Sequence, residues 1–200
     1  MRHLKLLLAV VGATVLLAAL TALASAGRLS TTNNTGIRAV WERMDFGGGF
    51  NTVECGIILE GSLHSRVIEK VVGRLIGYIT FAAVRVASCR NGEVTVLSET
   101  LPWHITYGSF SGTLPNISAI ATNSIGASFR VREVFGITCL ARSTAAEPAS
   151  LTFNREVATR RITSATIGGT IRCGTVNGTL GGTTSSINEG LGTIITVTLI

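Results

Sequence analysis

The side chains that could carry chemistry are few. Beyond His3, histidine occurs only at His64 and His104, and the single aspartate is Asp45. A calcium loop needs several spaced carboxylates, and the EF-hand pattern is missing. A zinc site needs three or four ligands, which two distant histidines do not supply. Gly108-Ser109-Phe110-Ser111-Gly112 has the glycine spacing of a nucleophile elbow, but Phe110 occupies the serine position, so the stretch reads as a turn. Glu54 and Glu60, or Glu93 and Glu99, would share a strand face, as solvated glutamates commonly do. An acid/base pair would need strands to bring different carboxylates together. The residue types point to no catalytic site, no metal site and no cofactor.

Trp103, His104 and Tyr107 are the strongest ligand-binding candidates. Trp103 and Tyr107 lie on one face of a strand with Ile105 between them. That pattern suits a buried core stripe, or a sugar platform if the face is exposed. His104 points the other way, towards solvent or a cleft.

Cys55, Cys89, Cys139 and Cys173 form an even set without C-x-x-C spacing, which reads as disulfides in an exported chain. Four cysteines allow three connectivities. The expected one is sequential, Cys55 with Cys89 and Cys139 with Cys173. Each pair closes a moderate loop between candidate neighbouring strands. The two equal separations are treated as coincidence.

The elements that must position these residues are strands. Val53, Cys55, Ile57 and Leu59 alternate with Thr52, Glu54, Gly56 and Ile58. Phe129 and Val131 alternate with Ser128, Arg130 and Arg132. Period 2 with β-branched and aromatic residues marks a pleated, half-buried surface. Turn signals fall at Gly47 to Gly49, Asn91-Gly92, Gly108, Gly112, Pro115-Asn116, Gly168-Gly169, Asn177-Gly178 and Gly181-Gly182. The fold class is all-β, an antiparallel sandwich or barrel of about 10 to 12 short strands. Residues 62–74 also fit a short amphipathic helix, but β-branched content and Gly73 favour strand. Residues 27–36 read as a loose polar lead, and 145–149 as a loop. Residues 193–199 are apolar on both faces and should lie centrally or between packed layers.

Residues 1–26 read as a signal peptide: Arg2 and Lys5, an uncharged apolar run from Leu6 to Leu20, then Ala24-Ser25-Ala26. Cleavage there leaves 174 of 200 residues, 27–200, as a single all-β domain. That length supports burying about 70% of the unfolded surface. No later stretch suits a membrane helix. Removing Arg2 and Lys5 from 17 basic residues leaves 15 against 11 acidic, a net +4. Lys70 is the only lysine among them, and the arginines are scattered. Nucleic-acid binders gather such charge in a stripe with aromatics. The balance therefore speaks against nucleic acid, yet it could attract anionic envelope polymers.

Leu75-Ile76-Gly77-Tyr78-Ile79-Thr80, Glu99 to His104, Ser111 to Ile117 and Phe135 to Thr144 carry a family likeness. On these motifs (LIGYIT, ETLPWH, SGTLPNI, FGITCLARST) the chain resembles a group of uncharacterised exported bacterial β-rich proteins, over most of residues 30–145. The resemblance implies bacterial export and one recurring architecture. It carries no activity, ligand or site residue.

The expected function is that of a secreted, non-catalytic β-rich domain binding a cell-envelope or extracellular partner. The alternative is a small secreted hydrolase using His64 or His104 with a glutamate. The first predicts an exposed apolar patch or groove. The second predicts a pocket with a histidine in hydrogen-bond reach of a carboxylate or hydroxyl.

Overall fold

The computed structural model describes residues 27–48, 51–189 and 193–200. The expected signal peptide, residues 1–26, and Gly49 of the first turn signal lie outside the described residues. The chain is all-β, and the only helical turn described is a 3-10 turn at Ser98–Thr100. The strands are β1 (Arg28–Thr31), β2 (Ile37–Gly47), β3 (Thr52–Leu63), β4 (Val67–Glu69), β5 (Leu75–Arg90), β6 (Gly92–Val96), β7 (Trp103–Thr113) and β8 (Asn116–Ile125). They continue with β9 (Ser128–Glu133), β10 (Thr138–Arg142), β11 (Ala149–Arg155), β12 (Ile162–Cys173), β13 (Val176–Thr183), β14 (Ser186–Glu189) and β15 (Val197–Leu199). Strands outnumber the 10 to 12 expected, and several are long, with β5 reaching 16 residues.

Antiparallel pairing runs β11-β8-β7-β5-β3-β2-β13-β12, and β12 pairs back onto β11. The circuit is closed, which removes sheet edges around the ring. A branch leaves it at the far half of β12, through β10 and β9 to β6. Its inward residues Val94, Phe129, Val131, Cys139 and Ala141 are buried. Phe129 stands edge-on to Phe46 at 5.4 Å and to Trp103 at 5.3 Å, joining the branch to the ring's core. Burying a side chain of that size contributes about 1.5–3 kcal/mol.

A separate three-stranded sheet, ordered β15-β1-β4, caps one end. Leu29, Thr31, Ile68 and Val197 are its buried residues. Residues 27–36 are therefore not simply a loose lead, because their first part supplies the middle strand of the cap. The last strand is not central either: β15 is an edge strand with Val197 buried, and beside it Ile195 is buried while Ile194 and Ile200 are exposed. Its inward face meets the barrel mouth, and a backbone bridge joins Arg161 to Thr196. The 62–74 segment is the end of β3, then β4 and a turn in which Gly73 has φ +79°.

Several turn signals fall inside strands. Asn177 and Gly178 pair with Arg172 and Ile171, and the β12–β13 turn is Gly174-Thr175 with Gly174 at φ +64°. Gly168 faces Gly181 where β12 passes from β11 to β10 as its partner. Gly108 and Gly112 sit beside bulges in β7, so the 108–112 segment is strand and not turn. Asn91 does hold the β5–β6 turn, at φ +61°.

Both disulfides pair as expected, Cys55 with Cys89 and Cys139 with Cys173, each spanning 34 residues. Each joins antiparallel neighbours, β3 to β5 and β10 to β12.

Candidate functional site

Trp103 and Tyr107 belong to the core. Trp103 is fully buried and donates its Nε1–H to the Thr100 hydroxyl at 2.8 Å. Tyr107 is buried as well, and burial pushes its phenol above the ordinary tyrosine range. Neither offers a platform. His104 lies on the outer face opposite Tyr78, whose ring meets it edge-on at 5.2 Å. His64 tilts against the same Tyr78 ring at 4.8 Å. The described histidines thus come together across a tyrosine that the sequence reading had not connected to them.

Neither imidazole has a carboxylate or hydroxyl among its described hydrogen bonds. His64 shares a cleft of about 360 Å³ with Arg28, Ser65, Glu69 and Arg74. There the Glu69 carboxylate is bound to Arg74 and lies 3.7 Å from Arg28. No described hydrogen bond joins that carboxylate to His64. Glu133, Cys139 and Cys173 offer ligand atoms within 4.8 Å of one another. Those two sulfurs are bonded to each other, and a metal takes thiolates.

The outer face of β9, β10 and β12 is the most distinctive surface. Alternation turns Arg130 and Arg132 of β9 outward, and likewise Leu140 and Arg142 of β10 and Arg172 of β12. Leu140 pairs with Arg130 on one side and Arg172 on the other. Direct cross-strand neighbours lie about 5 Å apart and same-face residues along a strand about 7 Å apart. The backbone register therefore sets these arginines close together around an exposed leucine. Arg172 is paired with Glu147 at 3.0 Å, whereas Arg130, Arg132 and Arg142 enter no ion pair among the described residues. Glu93, opposite Arg132, is the other acid on this face. By contrast, Arg28, Arg38, Arg43, Arg74 and Arg85 all hold carboxylates.

A groove of about 330 Å³ runs along this face, walled by Leu140, Arg142, Ala146, Glu147, Thr170 and Arg172. Beyond Arg132 the β9–β10 hairpin ends in Val134 and Phe135, which are 67% and 74% exposed. The face can attract anions over a distance and hold an apolar group at its tip. The period-2 pattern already put Arg130 and Arg132 outward. Only the pairing of β10 with β9 and β12 brings Arg142 and Arg172 beside them.

Compared with family models, curated proteins and solved structures, the chain matches none.

Proposed function

We propose that this chain is an exported, non-catalytic binding domain whose β9–β10–β12 face takes an anionic polymer of the cell envelope. The observation that carries the reading is the cluster of Arg130, Arg132 and Arg142 around Leu140, with no ion pair among the described residues. In the barrel wall Arg38, Arg43 and Arg85 are each neutralised in place, by Glu60, Asp45 and Glu42. Here Arg130, Arg132 and Arg142 stand close with only Glu93 beside them and no ion pair among the described residues, and an anionic partner relieves their mutual repulsion. The disulfide pairs suit an oxidising compartment, in keeping with removal of residues 1–26 on export to the envelope or beyond. The resemblance to exported bacterial proteins supports the same location.

The hydrolase reading has one observation in its favour, the shared cleft of His64 and Glu69. The commitment of Glu69 to Arg74 and Arg28 weighs against it.

The test is a pull-down of the purified domain with envelope fractions and defined polysaccharides. The expected result is retention on carboxylated or phosphorylated polymers, release by salt, and no retention on neutral glucans. Equal retention on neutral and anionic polymers would count against the reading. Shortening of the bound polymer would favour the hydrolase.

A further inference from the structure

The ring of strands is not filled by its side chains. Where the cap meets the barrel there is a cavity of about 50 Å³. Thr31, Ile68 and Val197 roof it, and Ile37, Leu63 and Phe153 are among its walls. Its threonine hydroxyls are already committed, Thr122 to the Leu151 carbonyl at 2.8 Å and Thr31 to the Arg66 carbonyl at 3.4 Å. A second cavity of about 40 Å³ shares Ile37, Leu63 and Phe153 with the first and extends to Trp41, Ile79 and Ile105. An eight-stranded barrel has room either for side chains alone or for one small ligand.

Among the residues that line the two cavities, Trp41 of the second has the one described polar side-chain atom that is buried and without a partner. Trp41 is fully buried, and its Nε1–H has no acceptor. A buried donor left without a partner is costly, and native structures seldom tolerate one without a reason. The other unpartnered buried polar atom described is Ser124 Oγ, and Ser124 lines neither cavity. The indole belongs to a wall that is otherwise hydrocarbon apart from the cavity's rim at Glu60 to Ser62.

We propose that the barrel interior binds a short aliphatic molecule bearing one hydrogen-bond acceptor, with the chain across the two cavities and the acceptor on Trp41 Nε1–H. The hydrocarbon walls favour the apolar body, and the orphan donor selects an oxygen over a plain alkane. This site is separate from the arginine face, and its test does not depend on that reading.

The probes are 1-hexanol and n-hexane, added to the full domain, with the Trp41 and Trp103 indole N–H signals read by NMR. Hexanol is expected to saturate and to move the Trp41 signal, leaving Trp103, already bonded to Thr100, in place. Trp41→Phe should lower the preference for hexanol over hexane by about fivefold, one ordinary hydrogen bond. Leu63→Trp, enlarging a side chain that lines both cavities, should abolish binding of either probe. If Leu63→Trp does not fold, the Trp41→Phe comparison still decides. Failure of hexanol to bind the natural chain would overturn the proposal. Binding that leaves the Trp41 signal unmoved, or that survives unchanged in a folded Leu63→Trp protein, would do the same.

Discussion

Arg155 donates its Nε–H to the backbone carbonyl of Val197 at 2.7 Å, across 42 residues of sequence. Its other guanidinium arm donates to the Ile117 carbonyl. The side chain is buried, and desolvation lowers its pKa from the ordinary arginine value. One residue thus ties β11 and β8 of the barrel to β15 of the cap, through carbonyl oxygens and with no carboxylate among the described partners. Arg155→Met would leave both carbonyls unsatisfied, at a cost of about 3 kcal/mol. Denaturant titration should show that loss. Amide exchange should quicken first in β1 and β15, because the cap loses its tie while the ring keeps its ladders.

Gly178 lies beside the end of β2. A Cβ there would stand 1.9 Å from the Gly47 carbonyl oxygen and 2.4 Å from Gly48 Cα. Both contacts are backbone, so no side-chain rotation relieves them. Gly178→Ala should separate β13 from β2 and cost more than about 2 kcal/mol in thermal or chemical unfolding. Gly136 gives the contrast, with φ +84° and open space around it. Gly136→Ala should cost only the left-handed backbone term, about 1 kcal/mol.

Tyr107 gives stability an alkaline dependence. Burial raises its folded pKa above the unfolded value near 10. The unfolded chain therefore ionises first as pH rises, and the folded state retains the proton. Stability from this group is fully present below pH 10 and is lost as pH climbs towards the folded pKa. Unfolding free energy measured from pH 9 to 11 should fall, and Tyr107→Phe should remove part of the slope. An unchanged slope in the variant would assign the alkaline loss to other groups.

Alternation along single segments was enough to find the inward rows of β3 and β9. The disulfide pairs rest on sequential connectivity and moderate loop lengths, since alternation alone does not say which strands are neighbours. Glycine was misleading for a physical reason. The same residue serves a turn at Gly174, a bend at Gly168 facing Gly181, and close backbone approach at Gly178. Composition does not distinguish these uses. The cap was missed because β1 has only four residues, and its partners β4 and β15 lie far away in sequence. Trp103 and Tyr107 stood out as aromatics, but Ile105 between them had already marked that face as core. The arginine face needs β10 seated between β9 and β12, a long-range arrangement that no local pattern contains.

Phe135 should matter to binding and not to folding. It is exposed at a hairpin tip, so Phe135→Ala should change unfolding free energy by no more than about 0.5 kcal/mol. Affinity for an anionic envelope polymer carrying apolar groups should fall in the same protein, as read by calorimetry.

The most direct measurement of the central claim is the salt dependence of binding to an anionic polysaccharide, compared between two triple variants of equal charge. One is Arg130→Gln/Arg132→Gln/Arg142→Gln on the face. The other is Arg66→Gln/Arg160→Gln/Arg161→Gln, which removes unpaired arginines towards the capped end. Specific seating on the face predicts that the first variant loses at least tenfold in affinity at moderate salt and has a shallower salt slope, while the second stays within about twofold of the natural chain. Equal losses in the two variants would show that net charge alone drives the attraction, and would contradict a binding face on β9, β10 and β12.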